Sequence, residues 1–215
     1  MCSLPTVTNQ GGPRIHHPIA SAFYEWFAGR RLIQRFMEPL RQEVAGHASG
    51  LVLEVGAGSG RNFPWYMPER VERVEAVEPD ATMLRYARER LSHVRVPISL
   101  VQAPAEALPF ADATFDSAVA TLVFCSVFDP LQALREVKRV MKPKGSFFLV
   151  EHVRAQGKWA AHIQDALVPL TTRLAGNCHW NRDTAQVLTQ SGFEIVSLRR
   201  LRGIQPIRVL HAIRP

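Results

Sequence analysis

The residues of this sequence that most clearly indicate a binding site are three closely spaced glycines and a carboxylate that follows them. The apolar run Leu51–Val55 leads directly into Gly56, Gly58 and Gly60, and a second apolar run ends at Glu78. Glycines at the carboxyl end of a buried strand let the backbone turn tightly and approach a ligand. An acid at the end of the next strand is placed to accept hydrogen bonds from a ribose. The spacing therefore predicts a site for a nucleoside-containing cofactor.

The glycine loop itself discriminates between cofactors. A dinucleotide fingerprint needs its third glycine at the position that Arg61 occupies, and no Walker-type Gly-Lys-Ser/Thr follows the strand. These departures disfavour a nicotinamide-dependent oxidoreductase. The motif Glu54-x-Gly56-x-Gly58-x-Gly60 instead resembles motif I of the class I S-adenosylmethionine-dependent methyltransferases, whose cofactor carries no phosphate. A cofactor-binding but non-catalytic module of the same type, acting through a partner, is the remaining alternative.

Further motifs strengthen this resemblance and follow in the family's order. Residues 101–110 and 113–121 resemble the signature D-A-E-x-L-P-F … F-D-x-V, and residues 131–145 resemble the helix that ends in L-K-P-G-G. Pro104 replaces the usual aspartate, so one adenine contact of the family is missing or supplied by another group. The resemblance covers the chain from about Phe23 to Phe193 and implies a methyltransferase that uses S-adenosylmethionine.

The resemblance also implies which residues contact the cofactor. Glu54 would orient the loop or the cofactor's amino group, Glu78 would bind the ribose, and the Ala105–Glu106 turn would lie against the adenine edge. Tyr24 is either an aromatic lid from the amino-terminal helix or part of that helix's core. The candidate cofactor-binding residues are Glu54, Gly56, Gly58, Gly60, Asn62, Glu78, Pro79, Met83, Ala105, Glu106, Thr121, Leu122 and Tyr24.

A narrower resemblance concerns the methyl acceptor. Residues 121–127 and 151–153, together with Cys178-x-x-x-Arg182, resemble the methyltransferase-like thiol S-methyltransferases and their bacterial relatives. Bacterial phospholipid N-methyltransferases and quinone C-methyltransferases share much of the pattern. The resemblance implies a small-molecule or lipid-like acceptor, with a thiol as the first choice and a phospholipid headgroup amine or a quinone as the alternative. Its pocket is predicted from residues 19–27, 121–127, 151–159 and 176–182.

The candidates for the chemical step depend on which atom is methylated. A thiol ionises readily, so a nearby cation such as Arg182 or His152 would suffice, with Cys178 in the same pocket. An amine needs a base, and Glu151 would suit that role. His152 is equally well explained as a packed side chain. Cys125, in an apolar run, is interpreted as a small core residue.

Alternation of apolar strands and helical patterns predicts an α/β fold. The expected architecture is a doubly wound, mostly parallel seven-stranded sheet whose last strand is antiparallel. The closing strands 194–201 and 207–213 are too close together for a helical crossover. A single domain is predicted, with a loose segment at residues 1–18, a lid helix region at 19–45 and a catalytic core at 46–215. Strands are expected at 51–55, 74–78, 98–102, 115–121 and 147–151, and helices at 19–44, 62–67, 81–92, 131–141, 159–170 and 182–191.

Composition is that of an ordinary soluble enzyme with a basic surface. The chain has 215 residues, is 47% hydrophobic and carries a formal net charge of +7. Its three cysteines, Cys2, Cys125 and Cys178, are too widely spaced to suggest a disulfide framework or a zinc motif, so no metal is predicted. The basic carboxyl-terminal segment lacks interleaved aromatics, which argues against nucleic acid. We expect a cytoplasmic protein whose membrane contact is at most peripheral.

Overall fold

The computed structural model describes residues 8–9, 18–155, 157–174, 177–201 and 206–215. The strands are β1 (Thr8–Asn9), β2 (Gly50–Val55), β3 (Val71–Val77), β4 (Ile98–Gln102), β5 (Phe115–Thr121), β6 (Met141–His152), β7 (Glu194–Leu201) and β8 (Ile207–Ile213). The helices are α1 (Pro18–Ala28), α2 (Arg31–Gly46), α3 (Ala81–Arg90), α4 (Pro130–Val140), α5 (Lys158–Leu174) and α6 (Thr184–Gln190).

All the strands belong to one sheet, in the order β1-β4-β3-β2-β5-β6-β8-β7. The pairs from β4 to β6 are parallel, and β8 is antiparallel to both of its neighbours. This arrangement confirms the predicted fold class, with the two-residue β1 as an addition at one edge. The sequence predicted four strands with the observed bounds, namely β4, β5, β7 and β8.

Helices cover both faces of the sheet. Val52 packs into a core with Leu40 of α2 and Leu84 of α3, whereas its neighbour Leu53 packs on the other side with Leu134 of α4. Successive side chains of a strand point to opposite faces, so a central strand with helices on both sides must be apolar at nearly every position. The continuous apolar run of β2 follows from this placement.

The amino-terminal region differs from the prediction. One helix over 19–44 was expected, but the chain breaks at Gly29–Arg30 between α1 and α2. Among the apolar residues with described burial in this region, Met37 and Leu40 are buried in the core, whereas Trp26, Phe27, Leu32 and Phe36 are exposed. Thr8 and Asn9, predicted to be loose, pair with β4. The rest of the predicted loose segment, apart from Pro18 at the start of α1, lies outside the described residues.

Two further helix predictions change in detail. The predicted helix 62–67 is a short 3-10 turn, Phe63–Trp65. Asp80 caps α3, accepting hydrogen bonds from the backbone of Thr82 and Met83. Asp183 caps α6, so this helix begins at Thr184 and not at the predicted residue 182. No helix within the described ranges combines the length and the hydropathy needed to cross a membrane.

Candidate functional site

The glycine loop after β2 contains three glycines whose backbone is in the left-handed region, and each has different surroundings. The φ angles of Gly56, Gly58 and Gly60 are 61°, 55° and 78°. A Cβ at Gly56 would meet Val123 at 2.7 Å, and one at Gly60 would meet the Phe63 ring at 2.4 Å. A Cβ at Gly58 would meet nothing within 4 Å. Packing therefore explains the outer two glycines, whereas the middle one faces open space in which a ligand could approach the backbone.

Glu78 ties this loop to the end of β3. One carboxylate oxygen accepts a hydrogen bond of 2.9 Å from the backbone N–H of Gly58, and the other accepts one of 2.9 Å from Asp80. Burial raises the pKa of Glu78 to about 7, although both backbone bonds favour the ionised form. A carboxylate offers about four lone-pair positions. Two of them remain for the hydroxyls of a ribose, which fits the predicted role.

A buried polar layer lies beneath the loop. Arg41 of α2 donates to Asn62 Oδ1 at 2.9 Å, and Asn62 Nδ2 donates to the hydroxyl of Thr121 at 3.1 Å. Glu54 is 1% exposed and accepts a bond of 2.8 Å from the hydroxyl of Tyr66. These contacts join the glycine loop to the end of β5. They give Glu54 and Asn62 a loop-orienting role, and direct cofactor contact by either residue stays a prediction.

The remaining cofactor candidates follow the ends of neighbouring strands. Leu122, with a φ of 59°, follows β5, and Pro79 follows Glu78 at the end of β3. The side chain of Glu106 accepts hydrogen bonds from the backbone of Phe128 and Asp129, so it braces the start of α4. The structure thus gathers these candidates at the carboxyl edge of the parallel strands, together with Met83 in the first turn of α3 and Ala105 after β4.

Helix α1 is fastened over the glycine loop by a shared carboxylate. Glu25 forms ion pairs with Arg61 in the loop and with Arg90 at the end of α3. The hydroxyl of Ser21 donates to Asp80. Tyr24 on the same helix is 37% exposed, so the interpretation of this ring as helix core is wrong. The position of α1 against the loop agrees with a lid, and the lid role of Tyr24 stays a prediction.

The loop after Leu122 is held from both sides by charged groups. Glu151 is fully buried and accepts hydrogen bonds from the backbone N–H groups of Val123, Phe124 and Cys125. Arg182 Nη1 donates to the carbonyl oxygens of Phe124 and Val127, at 2.8 and 2.7 Å. The two predicted candidates therefore position this loop, and the role of Glu151 as a base and that of Arg182 as a cation for a thiolate stay predictions.

Three side chains from separate segments meet beside this loop. Cys125 in the loop, His152 at the end of β6 and Cys178 before α6 each offer one ligating atom, and these atoms lie within 4.8 Å of one another. A hydrogen bond with Cys125 and the proximity of His152 lower the pKa of Cys178 to about 5. The bond to Cys178 and burial raise the pKa of Cys125 well above its usual range. Cys125 is 1% exposed, which confirms its interpretation as a small core residue, and it also contacts polar partners.

The fold and the glycine-loop site define a Rossmann-like methyltransferase, and comparisons with known proteins agree. Residues 53–149 match the family described as a methyltransferase domain. Human thiol S-methyltransferase TMT1A is 32% identical over 167 residues, which cover 75% of this chain and 68% of that protein. A phosphatidylethanolamine N-methyltransferase of Cereibacter sphaeroides is 31% identical over 173 residues, covering 78% of this chain and 82% of that protein.

A solved structure supports the same assignment at the level of the fold. Geranyl diphosphate C-methyltransferase of Streptomyces coelicolor, in complex with Mg²⁺, geranyl diphosphate and S-adenosyl-L-homocysteine, superposes with a TM-score of 0.67. The two chains are 13% identical, and the match covers 85% of this chain and 80% of that one. This chain belongs to the S-adenosylmethionine-dependent methyltransferases. Its cofactor is S-adenosylmethionine, which the open space at Gly58 and the free lone pairs of Glu78 fit.

The Gly58→Val variant tests the cofactor site. A branched side chain at a φ of 55° is strained and would fill the open space next to the loop backbone. We expect the variant to lose binding of S-adenosylhomocysteine, measured by the ligand-induced rise in melting temperature. Gly157→Val is the matched control, because Gly157 also borders open space but lies outside the glycine loop. Equal melting responses in wild type and Gly58→Val would contradict this site.

The raised pKa of Glu78 predicts that cofactor affinity depends on pH. With a pKa of about 7, the carboxyl group is largely protonated at about pH 6 and largely ionised at about pH 8. The ionised form accepts ribose hydroxyls more strongly, so affinity should rise about tenfold over this interval. Calorimetric titration with S-adenosylhomocysteine measures it. Glu78→Gln should bind more weakly and lose most of the pH dependence, whereas an unchanged slope would assign it to another group.

Proposed function

We propose that this methyltransferase transfers the methyl group to the sulfur atom of a small-molecule thiol. The observation that carries the proposal is that Glu151 is bonded to backbone N–H groups of the loop after β5 while the guanidinium of Arg182 contacts the same loop. The similarity to a human protein named as a thiol S-methyltransferase supports the same choice. Small-molecule sites in parallel α/β sheets lie beyond the carboxyl ends of the strands, where this loop begins.

The acids nearest the loop are already occupied by backbone groups. Glu151 accepts three backbone N–H groups, and Glu106 accepts two. A protonated amine must lose a proton before it can attack, and Glu151 would weaken its hold on the loop by taking that proton. A thiol needs less assistance, because a cysteine-type thiol has a pKa of about 8.5 and a lysine-type ammonium group one of about 10.4. The engaged carboxylates therefore favour a thiol over an amine.

Positive charge at the same place suits a thiolate acceptor. The guanidinium of Arg182 is held against the loop by two carbonyl oxygens. Cations near a thiol favour its ionised, nucleophilic form. The cofactor supplies a methyl group already activated on a sulfonium sulfur. The chain's own residues then need only to orient the thiolate in line and exclude water.

A matched set of acceptors tests the proposal. n-Butanethiol, n-butylamine and n-butanol have similar size and differ mainly in the nucleophilic atom. We expect formation of S-adenosylhomocysteine with the thiol at a rate at least about tenfold above the amine, a difference of 1.4 kcal/mol in activation free energy. Gly58→Val, which should lack the cofactor, gives the background rate. Methylation of the amine with no reaction of the thiol would contradict the proposal.

A phospholipid headgroup amine is the second candidate, and one feature of the surface favours it. Large apolar side chains are exposed on α1, α2 and α5, with Trp26 60%, Leu32 79% and Trp159 85% exposed. Arg30, Arg31 and Arg35 accompany those of α1 and α2. Apolar residues mixed with arginines bind the interface of an anionic membrane peripherally. Such contact would bring a lipid headgroup to the enzyme.

Headgroup methylation on vesicles separates the two candidates, and sedimentation measures how strongly the protein binds the vesicles. If the lipid candidate is correct, the protein should bind vesicles of phosphatidylethanolamine and phosphatidylglycerol and methylate the headgroup, with both signals reduced by high salt. Trp159→Ser should weaken the binding, and Val196→Ser, also exposed but on β7, is the control. Under the thiol proposal, headgroup methylation stays at background even where the protein binds the vesicles.

A further inference from the structure

Cys125, His152 and Cys178 form a cluster of potential metal ligands, and the cofactor site does not involve them. Their three ligating atoms lie within 4.8 Å of one another, yet the residues come from the loop after β5, the end of β6 and the segment before α6. Two thiols and one imidazole are soft and borderline ligands, the set that proteins use for Zn²⁺. The wide spacing in sequence explains why no zinc motif was visible.

The distances within the cluster suit one tetrahedral ion. Zn–S bonds of about 2.3 Å and Zn–N bonds of about 2.0–2.1 Å place the ligand atoms of a tetrahedral site roughly 3.4–3.8 Å apart. The observed upper bound of 4.8 Å is about one ångström longer. Small rotations of the cysteine and histidine side chains would close this gap without moving the backbone.

The backbone around the cluster is firmly supported. Glu151 and Arg182 hold the Cys125 loop on opposite sides, and the backbone N–H of His179 donates to the carbonyl oxygen of Cys125 at 2.7 Å. The Asn177 amide donates to the carbonyl of Ser126 at 2.9 Å, which ties the Cys178 segment to the same loop. A frame that brings ligands together before the ion arrives reduces the ordering that binding requires.

One polar atom in the cluster is left without a partner. His152 Nδ1 is buried and has no hydrogen bond to the described residues. Buried polar atoms are normally satisfied, so this unpaired ring nitrogen requires an explanation. A bound ion supplies one directly if Nδ1 is the ligating nitrogen. If Nε2 ligates instead, Nδ1 is the nitrogen that needs an outer partner.

We propose that Cys125, His152 and Cys178 form a three-ligand Zn²⁺ site that leaves one coordination position open. Binding replaces the thiol protons, which pass to solvent, so that two thiolates and a neutral imidazole hold the ion. Three protein ligands with an open fourth position are the arrangement of catalytic rather than structural zinc. The open position would take the thiolate of the acceptor. This last step rests on the proposed thiol function, whereas the binding of the ion does not.

Cobalt(II) is the probe that tests the site directly. The full chain is purified under reducing conditions, stripped with a chelator and titrated with Co²⁺, which reports thiolate ligands by charge-transfer absorption and tetrahedral geometry by d–d bands. We expect one equivalent of Co²⁺ per chain, displaced by one equivalent of Zn²⁺. Absence of both signals in reduced, folded protein would overturn the site, and so would a Cys125–Cys178 disulfide that persists under reducing conditions.

Variants assign the signal to the proposed ligands. Cys178→Ser and His152→Gln should each weaken Zn²⁺ binding at least about tenfold and change the cobalt spectrum, because each removes a ligand. His179→Gln is the matched control, since it lies beside Cys178 but its Nε2 pairs with Asn177 at 3.2 Å. Circular dichroism establishes whether each variant is folded. If one ligand variant does not fold, the other is enough to test the assignment. Unchanged binding in a folded ligand variant would overturn the assignment.

Methylation assays separate the site from the thiol proposal. If metal-free protein lacks thiol methylation and one equivalent of Zn²⁺ restores it, the open position is supported. Full thiol methylation by metal-free protein would overturn the role of the open position, and the cobalt titration would still decide whether the ion binds. A protein that binds Zn²⁺ but methylates no thiol would retain the metal site and contradict the proposed function.

Discussion

The loop after β5 depends on a carboxylate with no exposure to solvent, that of Glu151. Glu151 accepts three consecutive backbone N–H groups of the loop after β5, while Arg182 takes two carbonyl oxygens of the same loop. A short loop that leaves a sheet has backbone groups that no strand can pair, and burying them unpaired is costly. One anion and one cation meet that need here. Burial nevertheless raises the pKa of Glu151 to about 7, so the anchoring is best satisfied above neutral pH.

The sheet was predictable because burial on two faces leaves a strong pattern in sequence. Strands β4, β5, β7 and β8 have their predicted bounds, and β8 is antiparallel as its short connection requires. The amino-terminal helices were not predictable in the same way. Phe36 and Leu32 have helical spacing but remain exposed, since periodicity indicates an apolar face and not what covers it. Helix α1 is placed by the ion pairs of Glu25 with Arg61 and Arg90, which are distant in sequence and leave no local pattern.

Within the site, sequence reasoning was most successful where function requires a local motif. The glycines and Glu78 lie as predicted, because their roles follow from strand ends and backbone conformation. Arg41 was missed, since a charged residue on an amphipathic helix is usually interpreted as solvent-facing. It is 9% exposed, and its link to Asn62 is set by packing between distant segments. The contact between Cys125 and Cys178 was hidden for the same reason.

The insertion of β8 between β6 and β7 has a consequence for synthesis of the chain. β6 pairs with β5 on one side, and its other edge pairs only with residues 207–213. A nascent chain that has completed β6 therefore carries a long apolar strand with a free edge until β8 emerges. Free edges of this kind are templates for intermolecular pairing. Translation speed and chaperone contact over the last third of the chain should accordingly influence how much enzyme escapes aggregation.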